Sequence, residues 1–349
     1  MSGSTYKISR DLSDKLKIVK FICMILVVYI HSRPMPVFSY EIDVPAWVET
    51  VKTVLSDTIA AAAVPVFFLL SAFFLYAKPF SWTANIKKKI HSILIPYLII
   101  NTFWLLFFFV MSRIPQLSAY FASEQYQINT WRDVLNAYLG NYPLYYPFWF
   151  LKDLFLLNLI SPVLWLAAEK MPIVTAVACF FVYSSGMIPG YLFHGGKSIV
   201  YWMMGLYIVR TGLDFGIIDR FRYPDILIGY IAATVLYYFK YMPILIYVGI
   251  AFVFFYRSCG YLVDTYRNSR FFQICVSQTF IIYAFHEFYE AMAKKAVMGY
   301  LPQTGIVQVL EYLILPLVII AICIFAGEIM KRRISKVYNF ITGHRDGTF

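Results

Sequence analysis

Long apolar stretches alternate with short polar, mostly basic ones along this chain. A membrane-spanning helix needs about 20 mostly apolar residues. Ten such spans are predicted, at ~16–36, ~54–77, ~91–112, ~147–168, ~172–190, ~198–211, ~223–240, ~241–257, ~272–292 and ~308–330. The sixth is short, and only Lys240-Tyr241-Met242-Pro243 separates the seventh from the eighth. Backbone amides in lipid find no water, so each span must satisfy its own hydrogen bonds as a helix. The predicted fold is all-α, a polytopic membrane helical bundle of about ten transmembrane helices.

Composition agrees with the pattern. Of 349 residues, 60% are apolar and 14% charged, where a soluble domain carries about 25% charged residues. A net charge of +11 would suggest nucleic acid for a soluble protein. In a membrane protein it raises the question of sidedness, and no nucleic-acid partner is expected. With the N-terminus inside, 21 of the 30 basic residues fall in inner segments. Eight, among them Arg33, Lys52 and Lys294, fall in outer ones, and Lys152 lies within a span. The positive-inside rule then puts both termini in the cytoplasm and the chain in the cell membrane.

The N-terminus has the basic-then-apolar order of a signal peptide, but "HSRPMPVF" follows with no small-residue cleavage site, so it reads as a retained first span. Residues 1–340 read as one integral membrane domain and 341–349 as a short tail. Cys23, Cys179, Cys259, Cys275 and Cys323 form no CxxC pair and read as core residues; neither disulfides nor a metal cluster are expected. "NTWRDVLNAYLGNY", in the longest outer loop, is predicted as a short interfacial helix.

Ionisable residues inside spans cost at least ~2.5 kcal/mol and need an explanation. In "KIVKFICMILVVYIHSR", His31 stands about 16 Å above Lys20 at helical rise. Lys20 can snorkel to the inner headgroups; His31 belongs to the outer half. Counted from Phe272, His286 reaches about 21 Å, a similar level. Glu287 adjoins it, Lys152 and Asp153 open the fourth span from outside, and Asp57 opens the second. A polar cavity lined by His31, Asp57, Lys152, Asp153, His286 and Glu287 is expected in the outer half. Lys87, Lys88, Lys89 and His91 cluster at the inner mouth of the third span, level with Lys20. They fit either topology-setting lysines near headgroups or a phosphate dock.

A buried imidazole can take a proton from a hydroxyl while that oxygen attacks an activated acyl group. Asp57, Asp153 or Glu287 would orient the ring, and Lys152 would stabilise the oxyanion. G-x-S-x-G, H-E-x-x-H and a phosphate loop are all missing from the sequence.

Six stretches resemble the membrane-bound acyltransferase-3 family. The first is a basic residue, ten others, then histidine: Lys20 and His31, with lysine where arginine is often found. "VPVFFLLSAFFLY" (Val64–Tyr76) resembles P-x-F-F-x-x-S-G-F, with Ala72 at the glycine. "KKKIHSILIPYL" resembles K-R-I-x-R-x-x-x-P-Y, with Lys89 at the arginine, Pro96-Tyr97 intact, and His91 and Ser92 departing from the usual basic pair. "PFWFLKDLFLLNLISPVL", "YWMMGLYI" and "SQTFIIYAFHEF" resemble the fourth-span W-F-L segment, the F-x-x-G-Y/L segment and the late I-Y-x-x-H motif ending at His286.

The resemblance implies an acyl-CoA-dependent O-acyltransferase, commonly an acetyltransferase, with acetyl-CoA or another acyl-CoA as donor and a hydroxyl of an extracytoplasmic glycan as acceptor. His31 would be its general base or acyl-handling residue. Lys20, Lys87, Lys88 and Lys89 would face the donor's phosphates, and lipid would surround the bundle. The competing class is a multi-pass transporter or membrane module for an amino acid or small solute, including the membrane half of a larger fused enzyme. Internal symmetry of the kind transporters show is not apparent.

Overall fold

The computed structural model describes residues 6–33, 43–79, 81–115, 128–140 and 144–343, the side chains of Ala291, Lys295, Ala296, Met298 and Gly299 excepted. Among them there are helices and no strands. Ten long helices run in the order α1 (Arg10–His31), α2 (Ala46–Tyr76), α3 (Trp82–Met111), α4 (Tyr146–Lys170), α5 (Pro172–Ser185), α6 (Lys197–Thr211), α7 (Tyr223–Tyr238), α8 (Ile244–Gly260), α9 (Thr279–Tyr300) and α10 (Gly305–Arg333). Each predicted span overlaps one of them. Helices α2, α3, α4 and α10 are long and apolar enough to cross a membrane by length and composition, and α5 and α8 are shorter apolar helices. The fold is an all-α membrane helical bundle.

The chain forms two compact units. Among the described residues, one holds Ala72–Arg210 with the segment that begins at Ile334; the other holds those from Tyr6 to Ser71 with Thr211–Arg333. Helix α2 passes from the second into the first.

In the unit containing both chosen histidines, α1 is central. Ser9 starts it by accepting the Leu12 N–H on its side-chain oxygen, 3.1 Å away. Leu16, Ile18, Val19, Cys23, Met24 and Val28 are all buried. These positions go right round the helix, which is the pattern of a helix enclosed by others. Its neighbours are α2, α8, α9 and α10. At its first turns, Lys15 pairs with Asp219 at 2.8 Å, and Arg267 and Lys17 both pair with Asp14, at 2.9 and 3.2 Å.

Two helices carry wide turns close to a proline. Helix α2 runs through a π-helical turn (Thr53–Ile59) and a 3-10 turn (Ala60–Ala62) before Pro65. Helix α3 has a π-helical turn at Ile90–Leu94 just before Pro96. A proline supplies no N–H to the carbonyl four residues back, so the backbone register changes there. In α4, Pro162 likewise leaves the Asn158 carbonyl without its helical donor, and the Ser161 hydroxyl donates to it at 2.7 Å.

The ninth predicted span is not one helix. A short helix, Arg270–Ser277, ends at buried Gln278, and α9 starts after it. Gln278 packs against Gly327 of α10 so closely that a Cβ there would lie 2.4 Å from its side-chain oxygen.

In the other unit, the Tyr76 hydroxyl donates to the Ser161 carbonyl at 2.9 Å and Asn85 donates to Asn158 at 3.0 Å, tying α2, α3 and α4 together. The terminal helix Ser335–Thr342 packs on α3 and ends at Gly343 (φ +65°), where a Cβ would lie 2.5 Å from the Ser92 Cα. The short helix expected in the outer loop spans Trp131–Leu139, closed by a Thr130–Asp133 capping box. Residues 116–127 and 141–143 of that loop lie outside the described residues. All five cysteines are free thiols, and all but Cys179 are buried.

Candidate active site

His31 is the last residue of α1, and His286 lies two turns into α9. Their rings meet edge to face, with centroids 5.1 Å apart and planes at 69°. His31 is partly buried and His286 is fully buried. The Nδ1 of His286 lies 2.9 Å from the Ile282 carbonyl oxygen and 3.1 Å from that of Tyr283. Carbonyls only accept, so Nδ1 carries the hydrogen and Nε2 of the neutral ring keeps its lone pair. Among the described residues that Nε2 has no hydrogen-bond partner. Glu287 follows directly, with its Oε2 also buried and unpartnered among them.

One charged group near His31 was missed by depth counting. Lys294, assigned from sequence to an outer loop, is buried in α9. Its Nζ donates to the carbonyl oxygens of His31 at 3.1 Å and Arg33 at 3.0 Å, and lies 3.5 Å from Glu290. The last carbonyls of any helix lack intrahelical donors and sit at the negative end of its dipole. A buried ammonium satisfies them here. The sequence signal was present in His286, Glu290 and Lys294, spaced four apart along one helical stripe.

Asp57 belongs to the same unit, in the π-helical turn of α2. It pairs with Arg33, whose guanidinium also pairs with Glu49. Asp57 is thus tied to the chain two residues past His31 rather than to an imidazole. In the same turn, Ser56 donates to the Tyr29 carbonyl, 2.6 Å away, and its oxygen is 2.6 Å from the Tyr312 hydroxyl. Lys52, another cation assigned to the outer segments, is buried in α2.

Lys152 and Asp153 belong to the other unit, where each has partners of its own. Lys152 donates to the Gly140 carbonyl at 2.7 Å. Asp153, 1% exposed, accepts from Ser198 at 2.6 Å and from the Phe193 N–H. It holds the loop before α6, where Phe193, His194, Gly195 and Gly196 all have positive φ. In that loop the His194 ring stacks on Trp149 at 4.3 Å. Burial, reinforced by the charges of Lys197 and Lys152, keeps the His194 pKa below its ordinary value.

Of the four lysines expected at the inner mouth, Lys20 is buried in α1, while Lys87, Lys88 and Lys89 lie in the other unit at the start of α3. Lys87 and Lys88 are exposed and Lys89 is half-buried. His91 turns its Nδ1 back to the Lys87 carbonyl at 2.9 Å.

The described helices thus form an apolar bundle that brings together two imidazoles far apart in sequence. The model of the acyltransferase-3 family, an acyltransferase domain, matches residues 14–328, and the chain belongs to that family. It is also similar to the succinoglycan biosynthesis protein ExoH of Rhizobium meliloti (strain 1021), with 24% identity over 232 residues. That match covers 64% of this chain and 61% of the relative, less than two thirds of its length. No solved structure matches the chain.

Proposed function

We propose that this protein is an integral membrane O-acyltransferase. It moves an acetyl or other short acyl group from acyl-CoA, supplied from the cytoplasm, to a hydroxyl of an extracytoplasmic glycan. The observation that carries the reading is the contact of the His31 and His286 rings. Membership of the acyltransferase family favours transfer over transport. The relative's name, a succinoglycan biosynthesis protein, supports a polysaccharide as the acceptor.

The chemistry follows from the groups at hand. The acceptor oxygen attacks the thioester carbonyl carbon while an imidazole takes its proton. The C–O bond forms and the C–S bond breaks. The sulfur leaves with the electron pair of that bond and is released as the free thiol of coenzyme A once it recovers a proton from the imidazolium. His31, partly exposed at the end of its helix, is the better placed of the two to meet substrate. His286 stands beside it with its tautomer set by the Ile282 carbonyl, leaving an acceptor nitrogen to stabilise positive charge. Glu287 places a carboxyl group next to His286 in the chain.

On the donor side, Lys87, Lys88 and Lys89 take phosphate oxygens of coenzyme A. Lys20 stands about 16 Å below His31 on the same helix. Both termini lie in the cytoplasm.

The test is purified protein with radiolabelled acetyl-CoA and the polysaccharide made by the same cells. Transfer of label to polysaccharide, with thermal stabilisation by acetyl-CoA and less by the analogue lacking the 3′-phosphate, supports the reading. Stabilisation by free amino acids alone, with no transfer, returns the protein to the transporter class.

A further inference from the structure

We infer that Lys294, with Glu290 as its counter-ion, is a positioning residue that sets where the His31 ring stands. The inference rests on the reading of His31 as the reacting imidazole. A lysine ammonium has three hydrogens. Two go to the His31 and Arg33 carbonyls, and the third side of the group faces Glu290. Both charged side chains are buried, at 6% and 1% exposure, so they are neither solvated nor free to swing. One cation thus grips the backbone on both sides of Ser32.

The same segment is held a second time. The Arg33 side chain is fixed by Asp57 and Glu49 from α2, while Lys294 holds the Arg33 carbonyl from α9. Peptide-plane orientation at residue 31 sets the direction of its Cα–Cβ bond. The ammonium therefore governs how the His31 ring meets that of His286, which is itself pinned to its own helix through Ile282 and Tyr283. A lysine serving only as a helix cap needs carbonyls from the end of the helix. Lys294 reaches past that end to Arg33 and carries its counter-ion one turn back on the same stripe.

The experiment compares wild type, Lys294→Met and the double variant Glu290→Gln/Lys294→Gln. The double variant removes both members of the Lys294–Glu290 pair together and covers the case in which Lys294→Met does not fold. Two quantities are read: kcat and KM for acetyl-CoA, and the rate at which diethylpyrocarbonate modifies His31, followed by peptide mass spectrometry. A displaced ring predicts a kcat fall of about 100-fold with KM unchanged, and an altered His31 modification rate. Wild-type kcat together with a wild-type modification rate overturns the inference, as does loss expressed only in KM. An altered modification rate alongside a fully active His31→Ala enzyme supports the clamp while removing His31 from the chemistry.

Discussion

The Nδ1 of His286 is committed to the Ile282 carbonyl one turn earlier, 2.9 Å away. That bond fixes the tautomer, so the nitrogen left over is an acceptor. The ring that carries it stands 5.1 Å, centroid to centroid, from the ring of His31, a residue 255 positions away in the sequence.

The donor end of the account predicts an effect on affinity alone. Changing Lys87, Lys88 and Lys89 together to Gln is expected to raise the half-saturating acetyl-CoA concentration about 5-fold or more, equivalent to about 1 kcal/mol. Turnover at saturation stays unchanged. Steady-state kinetics over a range of acetyl-CoA concentrations checks this, and an unaltered value assigns the three lysines to topology only.

Ser56 joins α2 to the Tyr29 carbonyl of α1 and to the Tyr312 hydroxyl of α10. Ser56→Ala leaves buried polar groups short of a partner, at about 1–3 kcal/mol. A lowered midpoint in detergent thermal unfolding is expected. Tyr312→Phe should lose less, because the Ser56–Tyr29 bond survives it.

Gly343 lies at φ +65°, a conformation that L side chains seldom adopt, with backbone atoms of His91 and Ser92 where a Cβ would go. Gly343→Ala is expected to loosen Ser335–Thr342 from α3. Hydrogen exchange should then accelerate in residues 335–342 while α9 keeps its protection.

The His194–Trp149 stack is expected to respond to acid. Because the folded-state pKa of His194 is lowered, the neutral ring favours the folded loop above the unfolded value of about 6.5, and that contribution is lost as pH falls through the lower folded value. The Trp149 fluorescence difference, wild type minus Trp149→Phe, should change with a midpoint below ~6.5. His194→Gln should abolish the change. A midpoint at or above that value contradicts the stacking account.

Much of this was legible in the sequence, because hydropathy reports helices directly. All ten expected spans fall on helices, and Lys20, His31 and His286 were singled out through their spacing and their depth along predicted spans. Changes of backbone register were hidden. The π-helical turns at Thr53–Ile59 and Ile90–Leu94 and the break at Gln278 all lie in or beside apolar runs, where composition does not change when the hydrogen-bond partner does. The count from Phe272 to His286 crossed that break as though the helix were continuous.

Depth counting also measures height and nothing lateral. It placed Lys152 and Asp153 level with His31; within their own unit their partners are Gly140, Ser198 and Phe193. Charge counting has a different limit, for a lysine near the end of an apolar run looks like a loop residue. Lys294 escapes that rule because Glu290 and two carbonyls take up its charge inside the protein.

The most direct test of the central claim replaces the two imidazoles one at a time. His31→Ala and His286→Ala are each expected to reduce acyl transfer from acetyl-CoA at least ~100-fold, the usual scale of a general-base contribution, with both variants still folded and inserted in the membrane. Transfer at the wild-type rate by His31→Ala would contradict the account at its core.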